Sequence, residues 1–332
     1  MRSLPDDITR LLRAGRGVFS VAEARLRGIT RPRLTRLAQA GLLVRLARGV
    51  YACASTYRDA DEWAAFGLRS RAFTLACGTR AFAAGWSAAA LYGLPPINAP
   101  PARPVVCLAD GAGSAVNSRY GTVRVAALPP NQCRYQDRCR LTSLPRTVVD
   151  VARVAPRADA IVVADAALSS GVTVADLRGV LGVQSGWRGS REAAWVIEHA
   201  DAYAESALES LGRLAFIAHD LPVPMSNAWI DTGERRYRVD HLLPDRWLVF
   251  EADGSLKYDN RLDAGRVVAD QREREWRLRE LGLEVVRYGW EQARHDRKRL
   301  AARFAAAIER CPVRPEPVQW TRGAGPGSRL MV

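Results

Sequence analysis

Residues 17–52 read GVFSVAEARLRGITRPRLTRLAQAGLLVRLARGVYA, and this stretch decides how the N-terminal part of the chain folds. Ser20 is a good N-cap for a short helix, and Glu23 three residues later completes a capping box. Thr30 is the next N-cap, with Pro32 in the first turn, where its missing N–H costs little. The stretch therefore predicts two successive short helices with defined starts.

The end of the same stretch, LLVRLARGVYA, predicts a short β-hairpin. Val44 and Leu46 alternate with Arg45, the chain turns at ARG, and Val50 and Tyr51 return. An earlier helix, with its apolar residues on one face, precedes the stretch. Three short helices followed by a basic hairpin are the plan of a winged helix-turn-helix, which we place at residues 1–55. In such a domain the third helix enters the major groove and the hairpin follows a phosphate backbone.

The charge of the chain favours a polyanionic partner. Its 332 residues carry 49 Lys+Arg against 35 Asp+Glu, a formal net charge of +14. Residues 1–55 contain eleven arginines and three acids, a local excess of +8. Such an excess is typical of nucleic-acid binding, although a solvated basic face or a protein-interaction module would also explain it. We predict that DNA is bound by groove-reading Arg31, Arg33 and Arg36 and by phosphate-contacting Arg45 and Arg48.

The winged-helix stretch resembles the N-terminal domain of AbiEi-type antitoxins from abortive-infection toxin–antitoxin systems. This resemblance implies DNA as a partner and raises the possibility of a cognate toxin. The segments GWSAAALYGL and SLPRTVVDVA, in residues 56–195, resemble the central part of such proteins. We expect residues 56–195 to form a small α+β domain for scaffolding or partner binding, in which Asp150 and Asp165 cap helices or pair with arginines.

Membrane and zinc-binding classes are disfavoured by the sequence. No run approaches the length of apolar residues that a membrane span needs, and the N-terminal residues lack a secretory apolar region. We therefore expect a cytoplasmic protein without membrane contact. Six scattered cysteines form no C-x-x-C pair, so a zinc site is improbable and free thiols are expected.

Residues 196–312 predict a third domain with the order helix, strand, strand, helix, strand. Asp240 lies in a strand set for burial, and Glu251 ends the apolar run WLVF. Asp253 shares a face with Glu251, because alternate residues of a strand point the same way. Carboxylates on neighbouring strands are ligands of the type that Mg²⁺ uses, and Lys257 could offset charge nearby. Pairing of these acids with arginines is the alternative.

The pieces SALESLGR, RVDHLLP, LVFEADGSLKY and REREWRLRELGLEVVRYGW make this region similar to the Vsr-like endonuclease branch of the PD-(D/E)XK superfamily. The resemblance implies a restriction-endonuclease-like α/β domain with a mixed central sheet, and Mg²⁺ or Mn²⁺ as cofactor. It assigns metal ligation to Glu209 (with Glu205 as the alternative), Asp240 and Glu251. Asp253 stands where the superfamily usually has lysine, so Lys257 would take that role, with Gln271 nearby.

Two functions compete for this α+β multidomain chain. The first is a metal-dependent DNA endonuclease with a winged-helix arm, in a toxin–antitoxin, phage-defence or DNA-repair setting. The alternative is a non-catalytic DNA-binding regulator or antitoxin with a degenerate nuclease fold, and an RNA-directed nuclease is a third option. We further expect Trp247, Trp276 and Trp290 to be core residues and the Pro/Gly-rich residues 313–332 to be disordered.

Overall fold

The computed structural model describes residues 3–108, 115–231, 235–254 and 273–322. The chain divides into two compact units. Unit 1 comprises residues 1–159 and 172–197, and unit 2 comprises residues 160–171 and 198–332. Both units combine helices with a mixed or antiparallel sheet, which confirms the α+β multidomain class.

The N-terminal part of unit 1 has the arrangement of a winged helix. Its sheet has the order β1-β3-β2 and is antiparallel throughout. Ile8, Leu11, Phe19 and Leu34 are buried together in its core. Strand β1 is the one element here that the sequence pattern did not predict. The elements are α1 (Asp6–Ala14), β1 (Val18–Ser20), α2 (Val21–Arg25), α3 (Arg31–Gln39), β2 (Leu43–Ala47) and β3 (Val50–Cys53).

The two predicted helix starts differ in how they are capped. At α2 the capping box forms: the Glu23 amide donates to Ser20 Oγ at 3.1 Å, and the Ser20 amide donates to Glu23 Oε2 at 2.7 Å. At α3, Thr30 is the N-cap residue but its side chain makes no capping hydrogen bond. The capping box is therefore confirmed, while Thr30 caps by position alone.

A second sheet of six strands fills the rest of unit 1, in the order β6-β7-β5-β4-β9-β8. Between α5 and α6 the chain leaves the helical conformation and forms strand β4, because Gly78 and Gly85 take positive φ angles of +88° and +53° that interrupt a helix. The strands are β4 (Ala81–Ala83), β5 (Val105–Leu108), β6 (Val116–Asn117), β7 (Thr122–Val125), β8 (Cys133–Gln136) and β9 (Cys139–Thr142). The helices between residues 54 and 199 are α4 (Ala54–Asp59), α5 (Glu62–Ala76), α6 (Trp86–Tyr92), α7 (Leu144–Ala152), α8 (Arg157–Ser169), α9 (Val174–Val183) and α10 (Ser190–His199), and most of α8 belongs to unit 2.

The turn between β8 and β9 contacts the winged helix within unit 1. Asp137 and Arg138 have φ angles of +46° and +60°, as a tight two-residue hairpin turn requires. Asp137 pairs with Arg16 at 2.8 Å, and Arg138 approaches Glu23 at 3.8 Å. The second sheet is thereby tied to the winged helix by two exposed ion pairs.

Unit 2 is built on a five-stranded mixed sheet of order β13-β12-β11-β10-β14. Strands β12 and β13 are parallel, and the other neighbours are antiparallel. The observed order is helix, three strands, helix, strand, two helices, strand, so strands β10 and β14 and helices α13 and α14 were not predicted. The elements are α11 (Ala207–Ile217), β10 (Met225–Asp231), β11 (Arg236–Leu243), β12 (Leu248–Asp253), α12 (described over 273–280), β13 (Glu284–Gly289), α13 (Trp290–His295), α14 (Arg297–Arg310) and β14 (Trp320–Arg322).

One side of this sheet packs against α11 and α14 through aromatic rings. Phe216 of α11 stacks on Phe304 of α14 with ring centroids 4.5 Å apart, and Phe250 of β12 meets both rings edge-on. Buried rings of this size contribute much of the apolar area of a small core. The helix that carries Glu209 is thus fixed against the strands that carry Asp240 and Glu251.

The C-terminal residues and the tryptophans differ in part from expectation. Residues 320–322 form β14, and Val318 is buried, so part of the segment expected to be disordered is ordered; residues 323–332 lie outside the described chain. Trp247 packs partly buried and donates to the Glu316 carbonyl at 2.8 Å. Trp276 is 53% exposed rather than core, because Leu278 is the α12 residue that faces inward.

Two further predictions concern cysteines and membranes. All six cysteines are free thiols. Over the described ranges, no helix combines the length and apolar character that crossing a bilayer requires. The acids Asp150 and Asp165 pair with Arg146 and Arg213, as the sequence predicted.

Candidate nucleic-acid interface and carboxylate cluster

The predicted DNA-contacting arginines lie on α3 and on the β2–β3 hairpin. Arg31 and Arg36 are exposed on α3, and Arg45 and Arg48 are exposed on the hairpin. Within the described part of the chain, Arg31, Arg36 and Arg48 have no ion-pair partner. Arg45 donates weakly to the Ala47 carbonyl at 3.4 Å. Four guanidinium groups are therefore presented to solvent on two elements of one small domain.

Arg33 is placed differently from the other four arginines. Its guanidinium binds the carboxylate of Asp7 in α1 through two hydrogen bonds of 2.5 and 3.0 Å. The hydrogen bond from Arg33 holds the pKa of Asp7 below its usual value. A bidentate pair of this kind fixes α3 against α1. The role of Arg33 in reading the DNA groove stays a prediction. In the structure, Arg33 links α3 to α1 through Asp7.

Glu209 lies in the first turn of α11 and is almost fully enclosed by donors. Its carboxylate accepts the Glu205 amide at 2.9 Å, the Ser206 hydroxyl at 2.8 Å and the Asn227 side-chain amide at 2.7 Å. In return, the Glu209 amide donates to Ser206 Oγ at 3.2 Å. Glu205, the alternative ligand, pairs with Arg238 at 2.7 Å.

Asp240 and Glu251 lie on neighbouring antiparallel strands. His241 of β11 pairs in register with Phe250 of β12, so one step further along the ladder brings Asp240 opposite Glu251. Asp240 accepts the amide of Ala252 at 2.7 Å. Directly opposite side chains in such a ladder lie close enough to interact. The predicted juxtaposition of these two acids is therefore present in the backbone register.

Glu251 and Asp253 each meet an arginine. The buried Glu251 carboxylate accepts from Arg274 of α12 at 2.6 Å. Asp253, half-buried at the end of β12, lies 3.7 Å from Arg287 of β13. The alternative of arginine pairing thus holds for both acids. Lys257 and Gln271 lie outside the described residues.

The charge of Asp240 affects the pKa values of both Glu209 and Glu251. Burial and, to a smaller degree, the nearby charge of Asp240 raise the pKa of Glu209 to about 7. Burial and then Asp240 also raise the pKa of Glu251, against the opposing charge of Arg274. We call Glu209, Asp240 and Glu251 the carboxylate cluster. Like charges held together without water favour protonation of some members.

A metal ion at the carboxylate cluster would have to compete with the partners that these carboxylates already have. Across the described ranges, no three His, Cys, Asp or Glu side chains are arranged to hold a metal. Glu209 is engaged by three hydrogen-bond donors and Glu251 by a guanidinium, whereas a metal needs free carboxylate oxygens. In this arrangement, the described residues do not fit a bound Mg²⁺ or Mn²⁺.

Several residues around the cluster were missed by the sequence reasoning. Asn227, on the unpredicted β10, has a φ of +50° and turns its amide to Glu209. Tyr288 of β13 shares a 2.9 Å hydrogen bond with His241, and burial lowers the pKa of His241 to about 3. Arg274 supplies the positive charge beside Glu251. Two sequence signals could have indicated these residues: an Asn within the apolar stretch that forms β10, and the run of charged residues on α12.

Comparisons with known proteins support the N-terminal resemblance. Residues 6–54 match the family described as "Transcriptional regulator, AbiEi antitoxin". The chain is also 33% identical over 291 residues to the uncharacterized proteins MT2308 (strain CDC 1551 / Oshkosh) and Rv2248 (strain ATCC 25618 / H37Rv) of Mycobacterium tuberculosis. Each alignment covers 85% of this chain and 98% of the mycobacterial protein.

Proposed function

Since the chain belongs to the same family as the mycobacterial proteins MT2308 and Rv2248 and begins with an AbiEi-type regulator domain, we propose that it is a DNA-binding transcriptional regulator of the antitoxin type. DNA is bound by the winged helix of unit 1, and the remainder of the chain acts without catalysis. In this proposal, the nuclease-like residues 196–312 serve for binding or scaffolding.

The observation that carries the proposal is the set of exposed arginines on α3 and the β2–β3 hairpin. A recognition helix needs side chains that are free to reach base edges, and a wing needs side chains that reach phosphates. Arg31 and Arg36 meet the first need, and Arg45 and Arg48 meet the second. The local excess of +8 over residues 1–55 adds a favourable, salt-dependent attraction to the DNA backbone.

The experiment measures binding of the full-length protein to its own promoter DNA by fluorescence anisotropy at several salt concentrations. Arg36→Ala and Arg48→Ala should each weaken binding by about tenfold, since an arginine contact contributes on the order of 1–3 kcal/mol. The slope of log K against log salt should also fall by about one for each phosphate contact removed.

Arg178→Ala is the matched control, because Arg178 is an exposed arginine on α9 outside the winged helix. It removes the same unit of charge and should leave the affinity within about twofold, as expected for a distant surface charge at physiological salt. If Arg36→Ala and Arg48→Ala bind DNA as tightly as Arg178→Ala does, the winged helix is not the DNA-binding surface. Arg33→Ala should instead lower stability, because it breaks the pair with Asp7.

Metal-dependent cleavage of DNA is the second candidate function. It is favoured by one observation, the electrostatic coupling of Glu209 and Glu251 to Asp240 at the junction of α11, β11 and β12. In this alternative, Glu209, Asp240 and Glu251 would be the metal ligands, Asp253 a further ligand or water orienter, and Lys257 the cation that stabilises the transition state. This candidate ranks second because the carboxylates of Glu209 and Glu251 are already engaged by hydrogen-bond donors.

A nuclease assay with supercoiled and linear DNA in Mg²⁺ or Mn²⁺ tests the second candidate. Cleavage that is present in the native protein and lost in both Asp240→Asn and Glu251→Gln supports it. Asp231→Asn, at the exposed end of β10, is the matched control and should keep any activity. Absence of cleavage, or cleavage that survives both cluster changes, leaves the regulator proposal alone.

A further inference from the structure

A concave cavity of about 550 Å³ lies within unit 1, between the six-stranded sheet and helices α5, α6 and α7. We call it the unit 1 cavity. Its volume falls in the range of about 300–1,000 Å³ that small-molecule sites in proteins occupy. It lies outside the winged-helix arginines and outside the carboxylate cluster, so neither candidate function uses it.

The charged residues that line the unit 1 cavity are strongly unbalanced. Four arginines and one acid, Asp150, line it, a formal excess of +3. Both Asp150 oxygens accept from Arg146 Nε at 3.0 Å, and one also accepts from the Gln184 amide at 2.8 Å. Arg146 further donates to the Ala127 carbonyl and the Gln132 side chain. The only acid among the described lining residues is therefore already used to hold the buried Arg146.

The other three arginines, Arg103, Arg124 and Arg153, are not neutralised in the same way. Arg153 donates through Nε and Nη2 to the Arg188 carbonyl, a neutral acceptor, and only approaches Asp150 at 3.7 Å. Within the described ranges, Arg103 and Arg124 have neither an ion pair nor a side-chain hydrogen bond. Burial lowers the pKa of Arg153; the charge of Asp150 opposes this shift, and the charges of Arg146 and Arg124 add to it. The guanidinium groups repel one another, and a bound anion would relieve that repulsion.

The remaining wall of the unit 1 cavity is aromatic and apolar. Phe66 and Trp86 line one part of it, and Trp187 lines another. The guanidinium carbons of Arg146 and Arg153 lie 5.3 and 5.0 Å from the Trp187 ring, which holds these side chains in place. The cavity is thus lined by aromatic side chains on one part and by arginine guanidinium groups on another.

We propose that the unit 1 cavity is a binding site for a nucleotide. Arg103, Arg124 and Arg153 bind its phosphate group, and the partly exposed Trp86 contacts its base. An excess of three positive charges suits the multiple charge of a phosphate better than the single charge of a carboxylate, and guanidinium groups bind phosphate oxygens in pairs. The aromatic wall gives a planar base a surface that inorganic phosphate cannot use.

The test is isothermal titration of the full-length protein with the four ribonucleoside 5′-monophosphates, with inorganic phosphate and with benzoate. At least one nucleotide should bind with one site per chain and raise the melting temperature. Arg103→Ala and Arg124→Ala should each weaken that binding by about tenfold or more, as expected for a lost charge-assisted hydrogen bond. Both side chains are exposed, so the unliganded variants should melt like the native protein.

Arg36→Ala is the matched control, because it removes one exposed arginine from the winged helix and should leave nucleotide affinity unchanged. It separates this inference from the DNA-binding proposal, which predicts that Arg36→Ala weakens DNA binding and that Arg103→Ala does not. The inference is overturned if no nucleotide binds, if Arg124→Ala binds as tightly as the native protein, or if Arg36→Ala weakens nucleotide binding equally. Equal affinity for inorganic phosphate or benzoate also overturns it.

Discussion

Arg274 of α12 places a guanidinium nitrogen 2.6 Å from a carboxylate oxygen of Glu251. A charge-assisted hydrogen bond of this length favours the ionised form of the acid, whereas burial and Asp240 favour the protonated form. The sequence assigned the neighbouring positive charge to Lys257. The described chain supplies one from a helix 23 residues away in sequence.

The stability of unit 2 should depend on pH through Glu209. Its pKa is about 7 in the folded chain and 4.5 when unperturbed, so between these values the folded state holds a proton that the unfolded state has lost. The free energy of unfolding therefore falls as pH rises across this window, by on the order of 1–3 kcal/mol. Glu209→Gln should flatten that part of the profile in urea denaturation.

Glu309→Gln is the control for the pH experiment, because Glu309 is exposed on α14. Its profile should follow that of the native protein from pH 4.5 to 7. A Glu209→Gln variant whose profile also follows the native one would show that Glu209 is not the titrating group. Native-state carboxyl titration by NMR gives an independent reading of the same pKa.

Removing Arg213 should destabilise unit 2 strongly. Its guanidinium binds the fully buried Asp165 at 2.9 Å and donates to the His199 carbonyl at 2.6 Å. Arg213→Ala leaves a buried acid without its cation, which typically costs about 3–5 kcal/mol. Urea denaturation monitored by tryptophan fluorescence measures the change.

A second substitution tests whether the buried charge causes that loss. Asp165→Asn combined with Arg213→Met removes both charges and keeps most of the volume, so it should recover much of the stability. The double variant would contradict this account if it were as unstable as Arg213→Ala. Burial raises the pKa of Asp165 to about 6, so Arg213→Ala should also lose less stability at acid pH.

Two helical glycines should respond oppositely to alanine. A Cβ on Gly212 in α11 would lie 2.0 Å from the hydroxyl oxygen of the buried Tyr288, whereas a Cβ on Gly179 in α9 meets nothing within 4 Å. Gly212→Ala should destabilise the protein by about 1–3 kcal/mol through overpacking. Gly179→Ala should stabilise α9 by roughly 0.5–1 kcal/mol. Equal melting temperatures for the two variants would refute the clash.

The helix caps of the winged helix offer another matched pair. Ser20→Ala removes the side chain that accepts the Glu23 amide and should cost about 1 kcal/mol. Thr30→Ala removes a side chain that makes no capping hydrogen bond, so the same change should be nearly neutral. Thermal unfolding of both variants, followed by circular dichroism, distinguishes them. A larger loss for Thr30→Ala would contradict the observed capping.

Much of the fold followed from local sequence signals. The helices α2 and α3, whose N-cap residues Ser20 and Thr30 the sequence indicated, and the alternating β2–β3 hairpin were predicted at their observed places. Strands β1 and β4 were missed because three residues are too few to show alternation. Strand β10 was missed because buried Ser226 and Asn227 make its pattern look polar.

The candidate site was predictable to the extent that it depends on neighbouring strands. Asp240 and Glu251 come together because one hairpin fixes their register, which the sequence implied. The contacts of Arg33 with Asp7, and of Asn227 with Glu209, join residues 26 and 18 positions apart. Such pairings depend on how helices and strands pack, and no local periodicity encodes them.

Strand β14 is the edge strand of the unit 2 sheet and covers part of β10. A bare β10 would offer seven residues of backbone donors and acceptors to any other extended chain. In the described chain, β14 pairs with three of these residues, Ala228–Ile230, and carries the exposed charged side chain of Arg322. Strand β14 therefore reduces the exposed edge of β10 that could pair with another chain. A truncation before Val318 would expose this edge and should make the protein prone to self-association.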